Sequence, residues 1–217
     1  ILNQQRLKAK EEWPAAKYDH IWEGKYGDII EDAIIEPAWF DACIDAHLNA
    51  KFAGSWEVKG ARICAFDPAD TGDAKGFAAR VGNVFIDVCD STAGDADDGL
   101  TWGCDKALAF GADDFVWDYS GIGSGMLQTI RKRFQSKASK LLPFNGAENP
   151  ENPDSPYITG DGKNKKVRDC FINMRAQQYW ELSQSCYNTY RAIVKGQYVD
   201  PDTMISFSSD IKCMPRL

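Results

Sequence analysis

Histidine is nearly missing from this chain: His20 and His47 are the only two in 217 residues. Both fall in the first fifty positions, apart from the other chemistry-bearing side chains. That argues against a Ser-His or Cys-His nucleophilic pair and leaves each as a structural or surface histidine. Paired cysteines are missing too. The seven cysteines (43, 64, 89, 104, 170, 186 and 213) are odd in number and never form a C-x-x-C pair. This disfavours a zinc site or a disulfide frame and fits reduced thiols in a cytosolic compartment. No apolar run reaches membrane-spanning length and no secretory leader is evident, so a soluble, intracellular protein is expected. Working nucleotide motifs are lacking. The Gly-Lys pairs at 24/25 and 162/163 precede Tyr26 and Asn164 rather than Ser or Thr, and Asp19 or Tyr157 replaces the upstream glycine, so no ATP site is expected. Gly121, Gly123 and Gly125 spell G-x-G-x-G, one residue short of the dinucleotide fingerprint, and the next strand ends at Asn145 instead of an acid. Excess positive charge is absent as well. A formal net charge of −7 argues against nucleic-acid binding through the overall field and leaves room for local basic patches.

What remains is an ordinary folding composition, 44% hydrophobic and 26% charged, in a chain long enough for one large domain or a domain with an appendage. Residues 1–50 read as helical through "QQRLKAKEEWP", "AAKYDHIWEGKY" and "EPAWFDACIDAHLNA", with Pro37 suited to a first helical turn. Residues 1–59 are therefore assigned to a helical linker or appendage, and 60–217 to the main fold. Strands are expected at 61–66, 76–82 and 83–90, the last two closed by a Gly-Asn turn in an antiparallel hairpin. "DADDGLTWGCDKALAFG" predicts a helix ending at Gly111, "DFVWD" (114–118) a strand, "GIGSGMLQTIRKRFQ" a glycine turn into a helix, and "KLLPF" (140–144) another strand. Residues 145–164 read as a long mobile loop. Residues 165–196 read as one long packed helix or two shorter ones, with Phe171, Tyr179, Trp180 and Tyr187 as a core-facing stripe. Three antiparallel strands followed by helix, strand, helix, strand and helix make an α/β fold with the mixed sheet of an RNase H-like domain.

Acids mark its chemistry. "FDPADTGD" places Asp67, Asp70 and Asp73 at the mouth of the first strand, where like charges repel and favour a nearby cation. Asp118 ends the fourth strand. If the two strands are neighbours, Asp67 and Asp118 converge, and hard carboxylate oxygens at such a point suit Mg²⁺ or Mn²⁺. Two ions about 4 Å apart would activate a water and stabilise the leaving oxygen, which is phosphodiester chemistry. Asp73 is a looser candidate, as a helper or second-metal group, and Asp70 a weaker one, because Thr71 and Gly72 make both natural turn residues. Two basic clusters, Arg131, Lys132 and Arg133 in one and Lys163, Lys165, Lys166 and Arg168 in the other, are candidates for contacting DNA phosphates.

These segments resemble the C-terminal nuclease domain of the large subunit of tailed-bacteriophage terminases. "YDHIWEGKY" is similar to the segment linking motor and nuclease, "FDPADTGDAKG" to the first acidic strand, "FVWDYSGIGSGM" to the second, and "FINMRAQQYWEL" to the helix after the flexible loop. The resemblance implies a metal-dependent endonuclease that cuts concatemeric double-stranded DNA with two Mg²⁺ or Mn²⁺ ions. Asp67 and Asp118 match metal ligands, and Asp73 matches an acid often found after the first. Partners implied are double-stranded DNA, the terminase small subunit and the portal protein, in the host cytoplasm. The family's third carboxylate, in a helix resembling "SPDxADAL", has no counterpart here, and Asp210 is a poor substitute; it is expected beyond Leu217, with the ATPase half upstream of Ile1. A competing expectation is a non-catalytic module of the same fold that docks on DNA or the portal.

Overall fold

The computed structural model describes residues 33–49, 59–158, 162 and 164–211. The helical segments expected within 1–32, Lys163, and the chain after 211 lie outside the described residues.

Alternation of side chains builds the sheet. In β1 (Arg62–Asp67), Cys64 and Phe66 are buried on one face while Ala65 and Asp67 emerge on the other. The chain returns antiparallel through β2 (Lys75–Val81) and β3 (Val84–Ser91), and Gly82 at the turn has φ +53°. β4 (Asp114–Asp118) lies parallel to β1 on its other side, and β5 (Lys140–Phe144) lies parallel to β4. The three antiparallel strands and the two parallel ones are thus those the sequence predicts, each end within one residue. A sixth strand carries no sequence signal of its own. β8 (Ser206–Phe207) pairs parallel with β3, giving the order β5-β4-β1-β2-β3-β8.

Helices cover both faces. α2 (Ala96–Phe110) begins with a capping box between Asp95 and Asp98 and ends at Gly111, φ +79°, the left-handed stop that glycine supplies cheaply. Trp102 of α2 lies edge-on to Phe66 and Phe77 at 6.4 and 6.0 Å. α3 (Leu127–Arg133) adds Ile130, and Phe134 just beyond it stacks 5.1 Å from Phe115. With Cys64, Leu100 and Trp117 these side chains form the main core.

On the opposite face, α5 (Met174–Ile193) packs against α1 (Pro37–Cys43), whose Pro37 occupies the first turn as expected. Trp39 meets Tyr187 at 4.7 Å, and Cys43 and Cys186 are both fully buried. The Thr189 hydroxyl of α5 donates to the carbonyl of Ile205 and accepts from its N–H, both at 2.9 Å, which fixes β8 to the helix. His47 has the structural role expected of it, its Nδ1 lying 2.8 Å from the Ser206 hydroxyl.

Two expectations need correction. The loop read over 145–164 is not featureless, since β6 (Pro156–Ile158) and β7 (Asn164–Lys166) form an antiparallel hairpin. The aromatic stripe is not uniformly core either. After the single-turn α4 (Val167–Cys170) the helix breaks at residues 171–173. Within α5, Tyr179 is 54% and Trp180 40% exposed.

Candidate active site

Register decides which acids meet. β1 and β4 are adjacent and parallel, with Phe66 opposite Trp117. The next residues along, Asp67 and Asp118, therefore leave the same end of the sheet side by side. Phe66 and Trp117 point into the α2 core, so both acids project on the other face, toward α5. They share the walls of two adjoining clefts of about 700 and 520 Å³, with Phe144 of β5 common to both.

The backbone after β4 is shaped to hold Asp118 in place. Its Oδ1 accepts from the Ser120 N–H at 2.8 Å, an Asx turn that fixes the carboxylate plane. The glycine run that failed as a nucleotide motif has a different purpose. A Cβ on Gly123 would run into the carbonyl oxygen of Asp118, and the Trp117 indole donates to the Gly123 carbonyl at 3.1 Å. The 3-10 turn Gly121–Gly125 can fold this tightly over the strand end only without a side chain at 123.

Burial, then the neighbouring Asp118 carboxylate, push the Asp67 carboxyl above its ordinary value, and Arg175 partly offsets them. Asp67 thus sits where its charge is repelled and incompletely hydrated. Lys75, fully buried, anchors the loop that follows: its ammonium donates to the carbonyls of Gly94 at 2.8 Å and Asp70 at 3.4 Å. Asp70 and Asp73 are exposed in that loop and line neither cleft.

The helical wall of the smaller cleft was not foreseen from the sequence. Arg175, Gln178, Tyr179 and Leu182 of α5 face Asp67 and Asp118 across the smaller cleft. Their spacing of i, i+3, i+4 and i+7 is one helix face, a pattern legible in hindsight but masked by the aromatic residues on either side. Asp90 of β3 was missed too. It pairs with Gly76, which pairs with Asp67, so Asp90 lines the larger cleft about 10 Å from Asp67, two strand spacings away.

The basic clusters are separated by the sheet. Arg131, Lys132 and Arg133 end α3 in the layer opposite the acids, and the Arg133 guanidinium bonds Asp105 at 3.0 Å and Thr101 at 2.8 Å. Lys165 and Lys166 stand on β7 and Arg168 on α4, on the α5 side: Tyr157 of β6 accepts from the Trp180 indole at 2.6 Å. Lys166 and Arg168 both reach Asp154, at 3.0 and 2.8 Å.

Two carboxylates opening on a cleft suit a hard divalent ion that keeps its waters and completes its shell from a phosphate. Among the described residues, no group of three or more His, Cys, Asp or Glu converges on one point.

A mixed sheet whose adjacent parallel strands end in an acid pair, with helices on both faces, is an RNase H-like nuclease fold. Among solved structures, the nuclease domain of the large terminase subunit gp2 of bacterial virus Sf6 matches with 40% identity and a TM-score of 0.75 over 82% of this chain and 74% of that one. A lysine-to-alanine variant of that domain with manganese and beta-thujaplicinol matches equally well. A calcium-containing structure matches at TM-score 0.74. No protein-family model and no curated protein matches. The chain belongs to the nuclease domains of bacteriophage large terminase subunits.

Proposed function

We propose that this chain is a divalent-metal-dependent endonuclease that cuts concatemeric double-stranded DNA during viral genome packaging, working with the terminase small subunit and the portal. The observation that carries the reading is the meeting of Asp67 and Asp118 on adjacent parallel strand ends in one open cleft. Those two side chains would hold Mg²⁺ or Mn²⁺, and the manganese and calcium structures of the Sf6 domain support a divalent ion here. Bound ions would supply a water of lowered pKa and charge stabilisation for the leaving oxygen.

The chain's own groups do the rest. The Asx turn at Ser120 holds one Asp118 oxygen and leaves the other facing the cleft. Gly76, opposite Asp67, keeps the space between Asp67 and Asp90 open to the substrate backbone. Lys165, Lys166 and Arg168 provide sequence-independent phosphate contacts on the α5 side, and Arg131 and Lys132 a separate patch. Asp73 serves as an outlying acid of the β1–β2 loop rather than a cleft residue.

Plasmid cutting with Mn²⁺ tests this. Wild-type chain should nick and linearise plasmid, and Asp67→Ala or Asp118→Ala should lower the rate about 10²-fold or more, the scale of removing a group that stabilises transition-state charge. Undiminished cutting by both variants would refute the assignment.

A further inference from the structure

We infer that Arg175 is the phosphate-binding side chain of this site, engaging a non-bridging oxygen of the DNA phosphodiester when the acids are occupied by cations and lying against Asp118 when they are not. The inference rests on the nuclease reading and names a residue that reading does not require.

Four observations support it. First, the main chain at 175 is fixed with respect to the acids. Asp118 pairs with Phe144, and two residues later the Gly146 carbonyl accepts from the Arg175 N–H at 3.0 Å. Met174 N–H donates to the Glu148 carbonyl at 2.8 Å, and the Asn173 side chain caps the first turn of α5 by accepting from Ala176 N–H at 2.9 Å. Second, the side chain has a fitted berth: a Cβ on Gly146 would stand 2.9 Å from Arg175 Nε and 3.1 Å from its Cβ, so only glycine leaves the guanidinium this path.

Third, the contact with Asp118 is loose. Nη2 lies 3.9 Å from Oδ2, beyond hydrogen-bond length, between side chains 55% and 28% exposed. An ion pair of that kind contributes little to stability, so Arg175 is not there to brace the fold. Fourth, the guanidinium retains donors in a planar fork suited to two oxygens of one phosphate. Cations on Asp67 and Asp118 repel it, and the phosphate that enters with DNA attracts it. During hydrolysis, the attacking water gives up a proton to solvent as its oxygen bonds to phosphorus, the opposite P–O ester bond breaks, and the departing oxygen takes a proton from solvent. Arg175 forms no covalent bond and stabilises the charge that builds on the non-bridging oxygen.

The test uses Arg175→Gln and Arg175→Lys with three readouts: duplex binding across a salt series with Ca²⁺ present so that the acids hold cations, Mn²⁺ binding by calorimetry, and single-turnover cutting in Mn²⁺. Arg175→Gln should make the slope of log K against log salt shallower by about 0.9, the value of one neutralised phosphate. It should leave Mn²⁺ binding equal or tighter, because a competing cation is gone, and lower the cutting rate about 10²-fold. Arg175→Lys should restore the salt slope while cutting more slowly than wild type. An unchanged salt slope in Arg175→Gln, or weaker Mn²⁺ binding in step with reduced cutting, would overturn the inference, the second because it marks a residue that merely shapes the acids. If wild type does not cut, the nuclease reading fails by itself, and the salt-slope and Mn²⁺ measurements still decide the role of Arg175.

Discussion

Asp67 and Asp118 are held together against their mutual repulsion, and the metal-free protein bears the consequence. A folded-state carboxyl raised above its unfolded value binds its proton more tightly than the unfolded chain does. The associated stability is full below the ordinary carboxylate range and is lost as pH rises through the raised value. At neutral pH in chelator, Asp118→Asn should therefore stabilise the fold by about 0.5 kcal/mol, the scale of a partly exposed charge interaction. It keeps the Asx-turn acceptor, and the gain should vanish in acid, where Asp67 is protonated. Urea unfolding at the two pH values measures it, and a variant less stable than wild type at neutral pH would contradict it. These two acids were legible in the sequence because each closes an alternating strand. Arg175 and Tyr179 were not, since their relation to Asp67 exists only after α5 folds over the sheet. Along the chain, Asp67 and Arg175 are separated by a long stretch of unrelated pattern.

At the level of elements, the period-two alternation of β1 to β4 was strong enough to predict the sheet, and the glycine-ended helix α2 equally so. β6, β7 and β8 have three, three and two residues, too few for a period to show. The pairing of β8 depends on Thr189 and Phe85, both distant in sequence. The glycine run after β4 was read correctly as a turn, but its reason, the approach of Gly123 to the Asp118 carbonyl, is tertiary. Gly123→Ala should therefore move the strand end, destabilising the protein by about 1–3 kcal/mol, as overpacking does. Mn²⁺ affinity should fall with it. Unfolding midpoints and calorimetry check both effects, and a fully stable variant with native affinity would show that the turn has slack.

Across the whole molecule, three layers place the acids and the hairpin on one side of the sheet and the α3 cluster on the other. Among the described residues no helix is long and apolar enough to cross a membrane. With a net charge of −7 the overall field repels a polyanion, so the DNA contacts proposed above fall to local basic groups, and two of those proposed, Lys166 and Arg168, are already paired with Asp154. Lys166, by hydrogen bond, and Arg168 hold the Asp154 carboxyl below the usual range. Duplex titrations over a salt series should show Asp154→Asn binding more tightly than wild type. Replacing Lys165, Lys166 and Arg168 together by alanine should flatten the salt slope by about 2–3, at roughly 0.9 for each phosphate left without its cation. An unchanged slope would remove the hairpin from the DNA path. The central claim, that the two strand-end acids jointly hold the catalytic cations, is tested most directly by anomalous diffraction from crystals soaked in millimolar Mn²⁺. The account predicts anomalous density between the carboxylates of Asp67 and Asp118, absent in Asp67→Asn; density elsewhere in the molecule, with none at this pair, would contradict it.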